Sequence, residues 1–162
     1  MNVSQLMNRS VETCGPDESL AEAAGRMWNC DIGCLAVVDG DGAVVGMVTD
    51  RDVCMAALME GRALHEIPVS RAMSKEVHCC APSDSLIAAE EQMRSQQVRR
   101  LPVLDAESRL VGMVSLNDLA REAERHVGRK GRAVSAEEIT VTLAAVSRAR
   151  QVKDLSVPMN GS

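Results

Sequence analysis

The chain has 162 residues, of which 46% are hydrophobic and 25% charged, and its net charge is −5; these proportions are ordinary for a globular protein. The acidic balance argues against nucleic acid as a partner, because proteins that bind it usually carry a basic surface. No apolar run approaches the roughly 20 residues that span a bilayer, and the N-terminus lacks a signal-peptide pattern, so we expect a cytoplasmic protein with no membrane partner.

The chain contains an internal repeat. Residues 5–53 align without a gap with residues 71–119, at a constant offset of 66, and 16 of the 49 aligned positions are identical. A repeat of this length indicates one structural unit used twice. We therefore predict two half-domains that stabilise each other by packing, followed by a C-terminal segment. Their ranges are 1–62 (repeat 1), 63–122 (repeat 2) and 123–162.

Repeat 1 predicts the order strand, helix, strand, strand, helix in a mixed α/β (α+β) fold, because short apolar runs alternate with segments of 3.6-residue period. The first helix begins after Ser19, where Glu22 completes a capping-box pattern. The second helix begins after Thr49. The strands are predicted at residues 11–14, 35–38 and 44–48, with a turn at 39–42.

Repeat 2 predicts the same order, with two of its strands at residues 101–104 and 110–114. Its last helix is expected to continue to His126. The connection between the repeats, residues 61–70, contains Pro68, and we expect extended chain there. The two repeats together would then pack about a pseudo-twofold axis.

The C-terminal segment begins with a basic run at residues 128–132. We interpret this run as a solvated linker, with an anion-binding arm as the alternative. Ser135 and Glu138 form another capping-box pattern, which predicts an amphipathic helix to about Arg150. Residues 151–162 are expected to be frayed.

Six cysteines lack the paired C-x-x-C spacing of a metal site, and a reducing cytosol argues against disulfides. Cys14 and Cys80 are equivalent in the two repeats, and His78 and Cys79 lie beside the second. We expect small buried hydrophobic residues here. A soft-metal site or a redox-sensing thiol is the alternative.

Both repeats end in the same phrase, GMVTDRD in the first and GMVSLND in the second. Thr49 and Ser115 stand at predicted helix N-termini, where unpaired N–H groups and the positive end of the helix dipole favour phosphate. Asp52 and Asp118, three residues later, can accept hydrogen bonds from both hydroxyls of a ribose. The same spacing also fits a helix cap, in which these side chains satisfy backbone N–H groups.

The order of elements, the Asp-Gly turn and the two endings resemble the CBS-domain family, whose repeats occur in tandem as a Bateman module. The resemblance covers about residues 3–120. It implies a regulatory module that binds AMP, ADP, ATP or another adenosyl ligand such as S-adenosylmethionine between the repeats and signals to a partner protein. It also implies a disc-like homodimer formed through the helices, and ligand contacts at Thr49, Asp52, Ser115 and Asp118.

Arg99 and Arg100 stand immediately before Leu-Pro-Val in repeat 2. This segment resembles the one at which nucleotide-binding gamma subunits of AMP-activated kinase contact phosphate. Two guanidinium groups suit that role, because they are always charged and can donate two hydrogen bonds each to a phosphate. The alternative is that these arginines face solvent or pair with Glu90 or Glu91.

Repeat 1 has Gly33 and Cys34 at the equivalent positions, with Arg51 as a substitute cation. The two sites should therefore hold different ligands, and we assign the phosphorylated one to the site of Ser115 and Asp118.

An adenine base would need an apolar slot, since Trp28 is the only aromatic residue. Trp28 ends the first helix, opposite Arg94 of repeat 2, and is interpreted as either an interface anchor or a capped core residue. The resemblance places the base between the first and second strands. The residues are Thr13, Cys14, Leu35 and Ala36 in repeat 1, and Cys79, Cys80, Leu101 and Pro102 in repeat 2.

No nucleophile-base motif, P-loop or pair of metal-binding carboxylates is present in the sequence, so we predict a protein that is not an enzyme and has no cofactor. The alternative functions are an oligomerisation or partner-regulating scaffold with degenerate pockets, and a cysteine-based metal or redox sensor.

Overall fold

The computed structural model of the protein describes residues 1–125 and 134–148. The predicted order of elements is confirmed in this mixed α+β fold, although the first strand of repeat 2 is reduced to a single bridge. The strands are β1 (Thr13–Cys14), β2 (Cys34–Val38), β3 (Val44–Thr49), β4 (Arg100–Leu104) and β5 (Leu110–Ser115). The helices are α1 (Leu20–Asn29), α2 (Asp50–Glu60), α3 (Leu86–Gln96), α4 (Leu116–Arg125) and α5 (Ala136–Val146).

The two repeats form separate small sheets with matching registers. In repeat 1, β1 runs parallel to β2, and β2 runs antiparallel to β3. In repeat 2, β4 and β5 are antiparallel. Cys80 forms a parallel bridge with Val103, which is equivalent to the pair of Cys14 and Val37 in repeat 1. Strand β1 covers only the last two residues of the strand that was predicted at 11–14.

The start of each repeat pairs with the other repeat. Asn8 exchanges two backbone hydrogen bonds of 2.9 Å with Met113, and Ser74 exchanges bonds of 2.8 and 3.0 Å with Met47. These contacts are reciprocal, as a twofold relation between the repeats requires. Ala43 bridges its own equivalent, Arg109, which places that pair at the pseudo-twofold axis.

The segment at the start of each repeat also places side chains in the hydrophobic core of the other repeat. Val3 and Met7 belong to the core of repeat 2, and Val69 packs in the core of repeat 1 with Met73 at its edge. Each half-domain therefore buries apolar surface contributed by the other, and the two form one structural unit.

The connection between the repeats is not extended, as the sequence had suggested. It contains two 3₁₀ turns, at Leu64–Glu66 and Val69–Arg71. The turns bring the side chains of Ile67 and Val69 into the core of repeat 1, where both are fully buried. Ile67, the residue before Pro68, keeps the extended backbone that proline favours, with φ −106° and ψ 116°, and the chain turns on either side of it.

The helix starts follow the predicted caps. Ser19 and Glu22 form a capping box at α1, and Ser135 and Glu138 form one at α5. The basic run, His126, Arg150 and the tail beyond it lie outside the described residues.

Helix α5 packs on α3 and α4 of repeat 2. Ile139 and Val146 contact the core of that repeat, and Thr142 is fully buried. The helix face of repeat 2 is covered in this way, whereas the equivalent face of repeat 1 exposes Trp28.

Gly46→Ala should destabilise the fold by about 1–3 kcal/mol through overpacking. A Cβ atom at Gly46 would lie 2.6 Å from Sδ of Met73 and 3.0 Å from the carbonyl oxygen of Ser74, which is held by its bond to Met47. Urea unfolding measures the change. Gly40→Ala is the matched control, because its Cβ would meet no atom within 4 Å, and it should shift the free energy of unfolding by under about 0.5 kcal/mol. Equal effects of the two variants would contradict the packing account.

Candidate functional site

The Thr49–Asp52 corner is a helix cap. The backbone N–H of Thr49 donates to Asp52 Oδ2 at 2.9 Å, and the Thr49 hydroxyl donates to the same oxygen at 2.7 Å. The backbone N–H of Asp52 donates in return to Thr49 Oγ1 at 3.2 Å. Both side chains are half-buried at the start of α2.

The Ser115–Asp118 corner has the same geometry in repeat 2. Asp118 Oδ2 accepts from the backbone N–H of Ser115 at 2.9 Å and from its hydroxyl at 2.5 Å. The second carboxylate oxygen, Oδ1, accepts from Arg121 at 2.7 Å. Asp52 has no such cation, since no described residue donates to its Oδ1. Within the described residues the Asp52 carboxylate therefore has a free oxygen, Oδ1, whereas Oδ1 of Asp118 is paired with Arg121.

Arg100 of repeat 2 lies close to the first corner as well as to the second. Arg100 stands opposite Ser115 in the β4–β5 register, as Cys34 stands opposite Thr49. Burial raises the pKa of Cys34, and the nearby charge of Arg100 opposes that rise. Arg100 and its equivalent Cys34 are thus neighbours across the pseudo-twofold axis, and both corners lie at the same end of the molecule.

Arg99 is exposed and Arg100 is half-buried. Neither pairs with Glu90 or Glu91 within the described residues, because Glu90 accepts from Thr142 and Glu91 lies 4.0 Å from Arg94. Both guanidinium groups are therefore available to an anionic ligand.

A cleft of about 290 Å³ lies between the two repeats. Thr13 and Val38 line it from repeat 1, and Arg109 and Val111 line it from repeat 2. Val111 and Ser115 are four residues apart on β5, so their side chains project from the same face of the strand. The cleft lies at the start of β5 and the Ser115–Asp118 corner at its end, on the same face of the strand as Val111.

Thr13 is the one predicted base-contacting residue that lines this cleft. The side chains of Leu35, Ala36 and Leu101 are fully buried. Those of Cys14, Cys80 and Pro102 are also buried, and that of Cys79 is half-buried. The first and second strands are direct neighbours, so their side chains pack in the core and a base could contact them mainly through backbone groups.

The sequence did not identify the other seven lining residues of the cleft as part of a site: Arg9, Val11, Val38, Gly42, Arg109, Leu110 and Val111. The period-2 pattern of β5 would have placed Val111 and Ser115 on one face. The lining residues of the two repeats meet in the cleft only because the chain crosses from one repeat to the other. Such a long-range contact leaves no pattern in the local sequence.

The buried cysteines are poor nucleophiles. Burial raises the pKa of Cys14 to about 11, and Glu18 adds to the rise. Burial and then Asp84 raise the pKa of Cys80 to about 12. A thiol with a raised pKa stays protonated near neutrality and neither attacks nor ligates readily. No group of three His, Cys, Asp or Glu residues suited to a metal occurs in the part of the chain that the structure describes.

A family model described as "CBS domain" matches residues 3–58 and 66–125. The chain therefore belongs to the CBS-domain family, and the resemblance drawn from its two endings is confirmed. No helix among the described residues is long and apolar enough to cross a membrane; the cytoplasmic location stays a prediction.

Relatives and neighbours are CBS proteins too. The chain is 39% identical over 119 residues to the CBS domain-containing protein YhcV of Bacillus subtilis, covering 74% of this chain and 83% of that one. A structure of Hypoxic Response Protein I with two coordinated zinc ions has a TM-score of 0.68 at 32% identity, covering 75% of this chain and 98% of that one. The CBS domain pair of protein MJ0100, in complex with 5-methylthioadenosine and S-adenosyl-L-methionine, has a TM-score of 0.68 at 23% identity, covering 75% and 94%.

Thiol labelling at pH 8 should modify the exposed Cys30 and Cys54 first. Cys14 and Cys80 should react at least about tenfold more slowly, because their raised pKa leaves almost no thiolate until the pH approaches 11. Mass spectrometry after timed alkylation measures each site. Rapid labelling of Cys14 or Cys80 in folded protein would contradict the buried-hydrophobe interpretation and favour a redox role.

Proposed function

We propose that the chain is a non-catalytic regulatory module that binds an adenine nucleotide or another adenosyl ligand between its two repeats and signals to a partner protein by a change of conformation. The observation that supports this most is the cleft lined by both repeats, whose residue Val111 shares one face of β5 with Ser115. A ligand that fills it contacts both halves at once. The complex of the MJ0100 domain pair with two adenosyl compounds supports the ligand class.

In this proposal the base lies among the apolar side chains of Val11, Val38 and Val111, beside Thr13. Asp118 accepts from the ribose hydroxyls, a role that carboxylates fill in other nucleotide sites. Arg121 is then displaced from Oδ1; its side chain is largely exposed, so little burial is lost. Ser115 turns its hydroxyl from Asp118 to the phosphate at the N-terminus of α4.

Arg99 and Arg100 supply the positive charge for the phosphorylated ligand. Arg100 lies beside both Ser115 and Cys34, close to the pseudo-twofold axis. From this position its guanidinium group contacts the phosphate of the ligand at the Ser115–Asp118 corner. The second site uses Thr49 and Asp52, with Arg51 at its edge. It lacks an arginine at the positions of Gly33 and Cys34, and we propose that it holds a different or uncharged adenosyl ligand.

The signal follows from the geometry of the cleft. A ligand shifts a conformational equilibrium only as far as it binds one state better than the other. Here the cleft walls belong to different repeats, so a ligand that contacts both favours one relative orientation. We also propose that the module acts as a homodimer, since large apolar side chains are exposed on its helices.

Metal sensing is the second candidate, because Hypoxic Response Protein I holds two zinc ions. The absence of a three-ligand group within the described residues disfavours it.

Calorimetric titration with AMP, ADP, ATP, S-adenosylmethionine and NAD tests the proposal. At least one of them should bind with a dissociation constant well below about 1 mM, which corresponds to about −4 kcal/mol. Asp118→Asn should weaken that binding by about tenfold, because an amide can still accept at the cap but carries no charge. Arg99→Ala and Arg100→Ala should weaken phosphorylated ligands more than S-adenosylmethionine, and Asp52→Ala reports on the second site.

Arg71→Ala is the matched control, since Arg71 pairs with Glu60, away from both corners and from the cleft. It should leave binding unchanged. No binding of any adenosyl compound would reject the ligand class, and binding unaffected by all four site variants would reject the residue roles. Stoichiometric zinc binding without adenosyl binding would favour the metal sensor.

A further inference from the structure

The two corners differ in the residue that begins the helix. Asp50 is the first residue of α2, and Leu116 is the first residue of α4. Leu116 is 5% exposed and packs in the core of repeat 2. Asp50 is exposed, so its carboxylate remains at the start of the helix. Repeat 1 therefore has a charged group at a position where repeat 2 has an apolar one.

The Asp50 carboxylate occupies a hydrogen-bond donor that a phosphate would use. Its Oδ1 accepts from the backbone N–H of Arg51 at 2.7 Å. The N–H of Asp50 itself donates to the carbonyl oxygen of Gly33 at 3.2 Å. The N–H of Asp52 donates to Oγ1 of Thr49 at 3.2 Å. The first three N–H groups of α2 thus all have partners within the chain.

The start of α4 leaves the equivalent donor open. Asn117 is the equivalent of Arg51, and no described side chain accepts from its backbone N–H. The residue is exposed. Unpaired N–H groups at a helix N-terminus bind phosphate, and the positive end of the helix dipole adds to the attraction. A phosphate at α4 can therefore use a donor that a carboxylate of the chain itself already occupies at α2.

The missing arginine of repeat 1 does not by itself keep phosphate from the first corner. Burial raises the pKa of the Cys34 thiol, the charge of Arg100 lowers it, and the charge of Asp50 raises it further. Arg100 and Asp50 are thus both close to Cys34, which stands opposite Thr49 in the sheet. The negative charge of Asp50 opposes the attraction that Arg100 would exert on a phosphate at Thr49.

The carboxylate of Asp50 lies over the backbone of Gly33. A Cβ atom at Gly33 would be 3.2 Å from Oδ2 of Asp50. Asp50 forms no ion pair with another described residue. Repeat 2 has Arg99 at the position of Gly33. The residues beside the two helix starts therefore differ in the sign of their charge.

We propose that Asp50 excludes phosphorylated ligands from the Thr49–Asp52 corner, so that this corner takes an adenosyl ligand without a phosphate group. A phosphate there would have to displace a carboxylate of the chain and would meet its charge at short range, which is unfavourable. Specificity often depends on such a repulsive contact with the wrong ligand. The inference rests on the proposed function and names the residue that makes its two sites different.

The affinities of AMP and adenosine at each corner test this role, because the two ligands differ only in the phosphate. Asp118→Ala leaves the corner of repeat 1 as the main site, and Asp52→Ala leaves that of repeat 2. In the Asp118→Ala chain, adenosine should bind at least about tenfold more tightly than AMP. In the Asp52→Ala chain, AMP should bind more tightly than adenosine. Calorimetric titration measures both ligands.

Asp50→Ala, added to the Asp118→Ala chain, should remove the preference for adenosine. The change frees the N–H of Arg51 and takes away the negative charge, so AMP should bind at least about tenfold more tightly. Adenosine should keep its affinity. Asp50→Asn removes the charge but keeps an acceptor for the same N–H, so its gain in AMP affinity should be smaller than that of Asp50→Ala.

Asp31→Asn in the same chain is the matched control. Asp31 and Asp50 line one cavity of about 370 Å³ beside the start of α2. Asparagine suits position 31, where φ is 52°. The variant removes an exposed charge and frees no donor of α2, so the ratio of the two affinities should change by less than about twofold. Far-UV circular dichroism checks that every variant keeps its helix content.

The outcomes separate this inference from the proposed function. Equal affinities of AMP and adenosine in the Asp118→Ala chain, or a ratio that Asp50→Ala does not change, would reject the role of Asp50. So would an Asp31→Asn variant that gains as much as Asp50→Ala. An Asp118→Ala chain that binds neither ligand, while the Asp52→Ala chain binds both, would reject a ligand at the first corner. Binding of neither ligand to the unchanged protein would reject the proposed adenine nucleotide itself.

Discussion

The contact of a methionine from one repeat with a glycine of the other is the interaction on which the structure depends. Sδ of Met7 lies 2.6 Å from the position of a Cβ on Gly112, and Sδ of Met73 lies equally close to that on Gly46. Any larger residue at either glycine would separate the strands that the backbone bonds of Asn8 and Ser74 join. Each half-domain is too small to bury a large core alone, and the exchange lets each complete the other.

The cleft follows from this exchange. Because the chain crosses from one repeat to the other, the segment from Arg9 to Thr13 runs beside β5 of repeat 2, and the cleft walls come from both halves. The two Thr/Ser-x-x-Asp corners lie at one end of the molecule, with Arg100 and Cys34 between them. The corners are caps in the structure as described, which means that the groups proposed to bind a ligand are already held in place. At Asp118 the ligand has to displace the Arg121 side chain and turn the Ser115 hydroxyl, while the backbone N–H of Ser115 keeps the carboxylate in position.

The sequence predicted most of the fold because its signals were local and doubled. The capping pairs Ser19–Glu22 and Ser135–Glu138, the Asp-Gly turn and the apolar strand at 35–38 all appear where they were expected. The sequence was wrong about the rest of the connection: Ile67 is extended before Pro68, but 3₁₀ turns on either side of this pair bring Ile67 and Val69 into the core. Local rules do not weigh a tertiary gain of this kind.

The candidate site was harder to predict. The corners were identified because a cap and a ligand contact share one spacing, so the pattern alone did not separate them. The predicted slot between the first two strands consists largely of core side chains, whereas Val38 and Val111 line the cleft. Only the crossing of the chain between repeats brings these two valines together, and it leaves no mark in the local sequence.

The central claim is that one ligand contacts both repeats at once. Hydrogen exchange of the backbone amides, followed by mass spectrometry with and without saturating nucleotide, tests it most directly. The account predicts simultaneous protection of residues 9–14 in repeat 1 and 109–118 in repeat 2. Protection confined to one repeat, or spread evenly over the chain, would contradict a ligand that bridges them.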